Sequence, residues 1–91
     1  MNTSEHDPRI RACAVRFVGD KLTVSLADGR EISVPIEWYP RLDSATRDQR
    51  QNWRLIGEGF GIHWPDVDED ISTIGLLEGR PSTEYKKAAA G

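Results

Sequence analysis

A chain of 91 residues with one cysteine and a net charge of −3 excludes several kinds of protein at once. It is long enough for one domain with a modest core, burying about 60–65% of its unfolded surface, and it leaves no room for a second domain. Cys13 cannot form an internal disulfide, which fits a reducing cytoplasm. The negative charge disfavours nucleic acid as a direct ligand and gives no attraction to an anionic membrane.

The ends of the chain and its hydropathy point to one cytoplasmic domain. No apolar run reaches the roughly 18–20 residues that span a bilayer, and the polar N-terminus has no signal-peptide core. Residues 1–8 are predicted to be disordered because they are poor in apolar side chains. A single domain is predicted over residues 9–80, followed by a weakly ordered tail over residues 81–91.

Alternating apolar and polar residues predict three strands in the first part of the chain, at residues 10–18, 21–27 and 30–36. Gly19-Asp20 and Asp28-Gly29 are turn signals that would join them as an antiparallel meander. The side chains expected on its apolar face are Cys13, Val15, Phe17, Leu22, Val24, Leu26, Ile32, Val34 and Ile36. Such a face needs a cover, and the rest of the chain has to supply it.

A connector and a short helix are predicted next. The connector, residues 37–43, contains three residues available for packing: Trp38, Tyr39 and Leu42. Thr46 and Gln49 match a capping box, in which the two side chains satisfy free backbone amides at a helix start. The helix would cover about residues 47–52, and its stability would come from docking because it is short and polar.

A strand is predicted where Phe60, Ile62 and Trp64 alternate with Gly61 and His63. The first three would share one face, and the other two would share the opposite face. The spacing of Gly57, Gly59 and Gly61 predicts a bulge or a close approach to another backbone. Pro65 cannot donate to a sheet and should end the strand.

An acidic connection and a second short helix complete the predicted domain. Either Asp70 or Ser72 would cap the helix through a side-chain oxygen. Its buried face would contain three apolar residues at helical spacing, Ile71, Ile74 and Leu77. Gly79 fits the position after the helix end. The expected architecture is a single small α+β domain: a three-stranded antiparallel β-meander, then a helix, a strand and a short C-terminal helix.

Several short segments resemble the domain-of-unknown-function family 2442, a group of small bacterial α+β proteins. They are Ala45-Thr46, Gln49-Arg50, Asn52-Trp53-Arg54, Gly61-Ile62-His63-Trp64-Pro65, Asp68-Glu69-Asp70-Ile71-Ser72 and Gly75-Leu76-Leu77. The resemblance covers roughly residues 10–80 and implies no established activity. Genes of this family often stand beside genes of family 4160, an arrangement that looks like a toxin–antitoxin pair. Some relatives continue into a helix-turn-helix DNA-binding segment.

Metal and catalytic sites are not predicted. Asp66, Asp68 and Asp70 have the spacing of the first calcium-loop ligands, but Ile71 and Leu77 stand where that loop needs Gly and Glu. A capping, solvated acidic turn explains them better. His63 would need a nucleophile and an orienting group to act as a general base, and no spacing in the sequence supplies either one. We therefore expect no catalytic residue, no cofactor and no metal.

A protein-binding surface is the remaining candidate site. Arginines cluster around the first helix and carboxylates lie in the acidic turn, so the surface would be dipolar, which suits the steering of a protein partner. The alternative is a solvated helix face. One tryptophan left outside the small core could anchor a partner. The candidate surface residues are Trp38, Arg47, Arg50, Arg54, His63, Trp64, Asp66 and Asp68.

Three classes of function follow from these expectations. The first is a cytoplasmic protein–protein interaction module. The family resemblance implies that it is an antitoxin-like partner of a small toxin-like protein encoded by the neighbouring gene. A homodimer is also possible, with a second copy of the chain as the partner. The second is a regulatory or sensor domain in the system of a DNA-binding transcription regulator. The third, a small enzyme, is disfavoured by the absence of a recognisable catalytic set.

Overall fold

The computed structural model describes residues 7–85, which form an α+β domain with two three-stranded antiparallel sheets and three short helices. The strands are β1 Ala12–Val18, β2 Lys21–Leu26, β3 Glu31–Pro35, β4 Arg54–Ile56, β5 Gly61–Trp64 and β6 Glu69–Ser72. The helices are α1 Pro40–Asp43, α2 Arg47–Gln51 and α3 Thr73–Leu77. Single 3-10 turns occupy Pro8–Ile10, Ile36–Trp38 and Gly57–Gly59. The predicted fold class is confirmed.

The first sheet is the predicted meander. Its strands lie in the order β1-β2-β3, and Val24 of the central strand is opposite Val15 of β1 and Ile32 of β3. Leu22 and Val24 have no exposed surface, because the alternation of β2 directs both side chains into the core. Each observed strand is one or two residues shorter than its predicted range.

A bulge in β1 changes which of its residues face the core. Ala12 is opposite Leu26 and Ala14 is opposite Ser25, so Cys13 is an extra residue on the β1 side of the pair. An extra residue in one strand shifts the alternation on either side of it. The prediction that Cys13 shares the apolar face is therefore wrong: Ala12 is buried and Cys13 is exposed.

The second sheet contains two strands beyond the predicted one. Its order is β4-β5-β6, with β5 in the centre and antiparallel to both neighbours. β5 has the predicted faces, since Ile62 and Trp64 are buried and His63 is half-buried. Asp70 lies inside β6 and does not cap a helix. The acidic connection is thus shorter than expected, because half of it pairs with β5.

The closely spaced glycines make a hairpin turn between β4 and β5 and not a bulge within a strand. Gly57 and Gly59 have φ of +57° and +96°, values that favour glycine. A Cβ atom on Gly59 would lie 3.1 Å from the Cβ of Arg11 and 3.4 Å from the carbonyl oxygen of Ala12. The expected close approach to another backbone is therefore confirmed at Gly59, where the turn of the second sheet meets the start of the first.

Both predicted helix starts are present. The Thr46 hydroxyl accepts a 3.1 Å hydrogen bond from the Gln49 amide, and the Gln49 side chain accepts one of 2.9 Å from the Thr46 amide. Ser72, one of the two candidate caps for the last helix, accepts a 2.9 Å hydrogen bond from the Gly75 amide. Gly79 follows the end of α3 with φ of +71°, as predicted.

One apolar core lies between the two sheets and joins them. Trp64 of β5 is fully buried in it and meets Phe17 of β1 edge to face, with the ring centroids 6.3 Å apart. Tyr39 and Leu42 fill the core from the connector, which was expected to supply packing residues. The core residues are Ala12, Val15, Leu22, Val24, Leu26, Val34, Ile36, Tyr39, Leu42, Ile62, Trp64, Ile71 and Leu76.

Both ends of the described chain are attached to the domain. The amide of Asp28 donates a 3.2 Å hydrogen bond to the carbonyl of Arg9, in the turn before β1. Beyond residue 80, the amide of Ser82 donates to the carbonyl of Trp38 at 3.1 Å, and Glu84 forms a 2.8 Å ion pair with Arg41. The domain therefore extends further than residue 80. The rest of the predicted loose ends, residues 1–6 and 86–91, lies outside the described residues.

Candidate functional site

The second sheet has an outer face that turns away from the core. Arg54, His63 and Asp70 are directly opposite one another in the strand register, so their side chains form one row across β4, β5 and β6. The neighbouring row contains Leu55, Ile62 and Ile71 on the opposite face, where Ile62 and Ile71 are buried and Leu55 is partly exposed at the sheet edge. The outer face thus presents a cation, an imidazole and a carboxylate in line.

His63 and Asp70 form the shortest side-chain contact on this face. The Nδ1 atom of His63 lies 2.5 Å from Oδ1 of Asp70. A carboxylate on one ring nitrogen orients the ring and leaves the other nitrogen for a further group. Among residues 7–85, no Ser, Thr or Cys hydroxyl or thiol hydrogen-bonds to His63, so the pair lacks the nucleophile of a catalytic triad.

β4 is an edge strand with exposed apolar side chains. Within the described part of the chain, no strand pairs with the side of β4 that faces away from β5. Leu55 and Ile56 are each 38% exposed. Ile56 folds over Gly61, where an added Cβ would come within 3.0 Å of its Cγ1. A free strand edge with apolar neighbours is a feature that proteins usually cover or charge.

The arginines of the candidate surface have two different roles. Arg47 and Arg54 are exposed and form no ion pair or side-chain hydrogen bond within residues 7–85. Arg50 is half-buried, donates 2.9 Å hydrogen bonds to the carbonyls of Leu42 and Asp43, and lies over the ring of Phe17. Its guanidinium holds the end of α1 in place, so Arg50 has a structural role, and its place in the interaction surface stays a prediction.

The acidic turn between β5 and β6 lies beside the positive groups instead of opposite them. Asp66 accepts a 3.0 Å hydrogen bond from the side-chain amide of Asn52, directly after α2. Asp68 has φ of +54° and lies 3.8 Å from Arg41, which also donates to its carbonyl at 2.7 Å. Of these two carboxylates, only that of Asp68 has a cation beside it within residues 7–85, because the amide of Asn52 carries no charge.

The tryptophans are mainly structural. Trp64 is fully buried and its indole Nε1 donates a 3.0 Å hydrogen bond to the carbonyl of Arg50. The expectation that Trp64 belongs to an interaction surface is therefore wrong, because both its ring and its polar atom are already used. Trp38 and Trp53 are half-buried against the core, and Trp38 keeps some exposed surface for a partner.

A cavity of about 400 Å³ opens between β6, the connector and the segment after α3. Its lining includes Tyr39, Glu69, Ser72, Arg80 and Thr83. The cavity is not predictable from local sequence patterns, because its walls come from three separate segments. Its volume falls within the range of about 300–1,000 Å³ that is typical of small-molecule sites.

Two buried polar groups adjoin the cavity without a hydrogen bond. Glu69 is 8% exposed and Tyr39 is 3% exposed, and neither side chain has a hydrogen-bond partner within residues 7–85. Burial raises the pKa of the Glu69 carboxyl. Burial, with the nearby charge of Glu69, raises the pKa of the Tyr39 hydroxyl to about 12. The sequence pattern places Glu69 in an acidic run, and the four residues of β6 are too few to reveal the alternation that buries it.

The described residues contain neither a metal-binding cluster nor a membrane-spanning helix. No group of three or more His, Cys, Asp or Glu side chains in residues 7–85 is placed to hold a metal ion. Over the same residues, the helices are too short and too polar to cross a bilayer. The absence of a cofactor and of a metal remains a prediction.

The fold and surface define a small α+β domain with two meanders on one core. A family model described as a protein of unknown function (DUF2442) matches residues 12–82, and the chain belongs to that family. It is similar to a crystal structure of a protein of unknown function from Rhodospirillum rubrum, with 30% identity, a TM-score of 0.70, and coverage of 81% of this chain and 92% of that chain.

The chain is also similar to an uncharacterized protein of Chromobacterium violaceum solved by solution NMR. That match has 25% identity and a TM-score of 0.71, and it covers 89% of this chain and 73% of the other. No curated protein matches the chain. The relatives therefore support the fold and the family, while the function has to be inferred from the site.

Proposed function

We propose that this chain is a small cytoplasmic protein–protein interaction module, an antitoxin-like partner of a small protein encoded beside it. The observation that supports this most directly is the edge of β4 with which no strand of residues 7–85 pairs. Leu55 and Ile56 are each 38% exposed on opposite faces of this strand, and Ile56 shares its face with Arg54, which has no ion pair within the same residues. An apolar centre with a charge at its border is a common composition for a binding surface. The described residues also lack a nucleophile beside His63, which disfavours the alternative function of a small enzyme.

The mode of binding follows from the geometry of β4. A strand of the partner would add to its free edge, with main-chain hydrogen bonds providing affinity. Leu55 and Ile56 would lose their remaining exposed surface, and Arg54 would meet a carboxylate of the partner. Arg47, which is also unpaired within the described residues, would add to long-range attraction for an acidic partner. Asp66 and Asp68 have local contacts and would contribute less.

The test is co-expression with the small protein encoded by the adjacent gene, followed by size-exclusion chromatography and binding kinetics. We expect a stable complex of the two proteins. Leu55→Lys should weaken it by about tenfold or more, mainly through faster dissociation. Arg54→Glu should instead slow association and reduce its salt dependence.

Val18→Lys is the matched control, because Val18 is an apolar side chain that is 55% exposed on the first sheet. It should bind like the wild type. A Val18→Lys variant that weakens binding as much as Leu55→Lys would contradict the assignment to β4. Failure to form any complex with the neighbour would overturn the antitoxin-like partnership. If the chain forms a dimer with itself, and Leu55→Lys dissociates that dimer, the binding partner at β4 is a second copy of the chain and not the neighbouring protein.

A second candidate function, a regulatory or sensor domain, is supported by the cavity beside Glu69. A domain of this kind needs room for a small effector, and the cavity has the volume of a small-molecule site. Effector binding would have to change the affinity for a DNA-binding partner. A ligand that binds the cavity without changing the affinity for the partner would contradict the sensor function. The interaction module would then be the remaining candidate function.

A further inference from the structure

Within residues 7–85, the charged side chains that line the cavity are paired with one exception. The charge of Arg41 acts on Glu69, but its guanidinium is already engaged by Glu84 at 2.8 Å and by the carbonyl of Asp68 at 2.7 Å. Arg80, which lines the cavity, forms a 2.8 Å ion pair with Glu78. Neither arginine therefore has an uncommitted charge to offer Glu69.

The remaining acidic group of the lining is also committed. Asp70 lines the cavity and contacts His63 through its carboxylate. Glu69 is left as a buried carboxylate with no hydrogen bond or ion pair within residues 7–85. Burying an uncompensated charge disfavours the folded state, so such a group is retained where a ligand supplies the missing partner.

We propose that the cavity binds an alkylammonium or guanidinium group, with the Glu69 carboxylate as its counter-ion. The Tyr39 hydroxyl, which is buried and without a hydrogen bond in the described chain, is the second acceptor. An ammonium group has three donors, so the hydroxyl of Thr83 at the wall of the cavity can accept a third hydrogen bond. The site is independent of β4 and Arg54 and does not rest on protein docking there.

The cation has two sources that share this chemistry. It is either a free small amine or the Lys or Arg side chain of a partner protein. The volume of about 400 Å³ has room for a butyl chain with its charged head and leaves space beyond it. A hydrogen bond to a charged group in a buried site is strong enough that the charge of the ligand should decide binding.

The experiment is an NMR titration of the full chain with butylammonium chloride and with butylguanidinium chloride. Saturable shifts are expected in the amides of residues 69–72 and of Arg80, Ser82 and Thr83, which surround the cavity. The neutral butan-1-ol should produce no saturable shift at the same concentrations. Glu69→Gln should weaken cation binding by about tenfold or more, because the charged hydrogen bond is lost while the shape is kept.

Two further variants make the test specific. Glu58→Gln, at a carboxylate in the β4–β5 turn that is remote from the cavity lining, should bind the cations like the wild type. Tyr39→Phe should weaken binding by a smaller factor, since it removes one neutral acceptor. Equal affinity of the wild type and Glu69→Gln would overturn the proposal, and so would shifts that are scattered over the surface and do not saturate.

A peptide distinguishes the two sources of the cation. N-acetyl-Gly-Lys-Gly-amide carries the same ammonium on a protein backbone, while putrescine represents free amines. Stronger binding of the peptide than of butylammonium would assign the site to a partner's side chain. Binding of butylammonium and putrescine without the peptide would assign it to a small molecule. Binding of none of the three would overturn the site, whatever the outcome at β4.

Discussion

The indole Nε1 of Trp64 donates a 3.0 Å hydrogen bond to the backbone carbonyl of Arg50. This bond joins the central strand of the second sheet to α2. The same ring meets Phe17 of the first sheet, so one side chain connects both sheets and the helix between them. Arg50 in turn holds the carbonyls of Leu42 and Asp43, which extends the connection to α1.

Trp64→Phe is expected to destabilise the domain by about 2–4 kcal/mol. The change leaves the Arg50 carbonyl without its donor in a part-buried position and removes part of a fully buried ring. Urea denaturation measures the loss. Trp38→Phe is the control, because Trp38 is half-buried and its side chain makes no hydrogen bond within residues 7–85. Equal losses for the two variants would contradict the role of the indole.

Glu69→Gln is expected to stabilise the domain at neutral pH. Because burial raises the pKa of this carboxyl, the folded protein loses stability as the pH rises through the raised value and the group ionises. The glutamine of the Glu69→Gln variant does not ionise, so that variant keeps the stability that the wild type loses. The melting temperature should therefore rise by several degrees at pH 7, since about 1 kcal/mol corresponds to roughly 4–8 °C in a small domain.

The gain from Glu69→Gln should disappear below about pH 4, where the carboxyl is protonated in both the folded and the unfolded chain. Calorimetry at the two pH values tests this, with Glu58→Gln as an exposed control that should show no such difference. A lower melting temperature for Glu69→Gln at pH 7 would show that the carboxylate has a stabilising partner. If Glu69→Gln is more stable than the wild type and binds cations more weakly, Glu69 serves binding at a cost in stability.

Gly59→Ala and Gly29→Ala form a matched pair. The two glycines have nearly the same φ, +96° and +94°, but only the Cβ at Gly59 would meet other atoms within 4 Å. Backbone strain should cost each variant about 1–2 kcal/mol. Crowding against Arg11 and Ala12 should cost Gly59→Ala about 1–3 kcal/mol more. Equilibrium unfolding of both variants measures the difference, and equal stabilities would mean that the turn moves away from β1 freely.

Thr46→Ala is expected to lower the stability by about 1 kcal/mol, because the amide of Gln49 loses its acceptor at the start of α2. Thr46→Ser keeps the hydroxyl and should lower the stability by only a few tenths of a kcal/mol. Hydrogen exchange of the Gln49 amide provides a local measurement alongside global unfolding. Unchanged exchange in Thr46→Ala would show that α2 is held by Trp64 and Arg50 alone.

The first sheet was predictable from sequence because its strands follow period two over five or more residues. The bulge at Cys13 was not predictable, because a bulge depends on how a strand pairs with its neighbour and not on the residues next to it in sequence. The capping box at Thr46 and the cap at Ser72 were also predictable, because the interactions are local. Local patterns and local contacts agree in these parts of the chain.

The second sheet was only partly predictable. β4 and β6 have three and four residues, too few to establish a period, and β6 buries a glutamate against the usual preference of that residue. The contact between His63 and Asp70 depends on the register across the turn at residues 65–68, which the sequence does not specify. Trp64 alternates with Ile62, so its inward direction was available from the pattern and the surface assignment conflicted with it.

Each sheet is made of strands that are consecutive in the chain, residues 12–35 for the first and 54–72 for the second. The loops that close within each meander are short, so their closure costs little chain entropy. Docking of the two meanders, through contacts such as that of Phe17 with Trp64, joins residues distant in sequence and is the slower step. A chain arranged in this way can complete its first half during synthesis, while the second half is still being made.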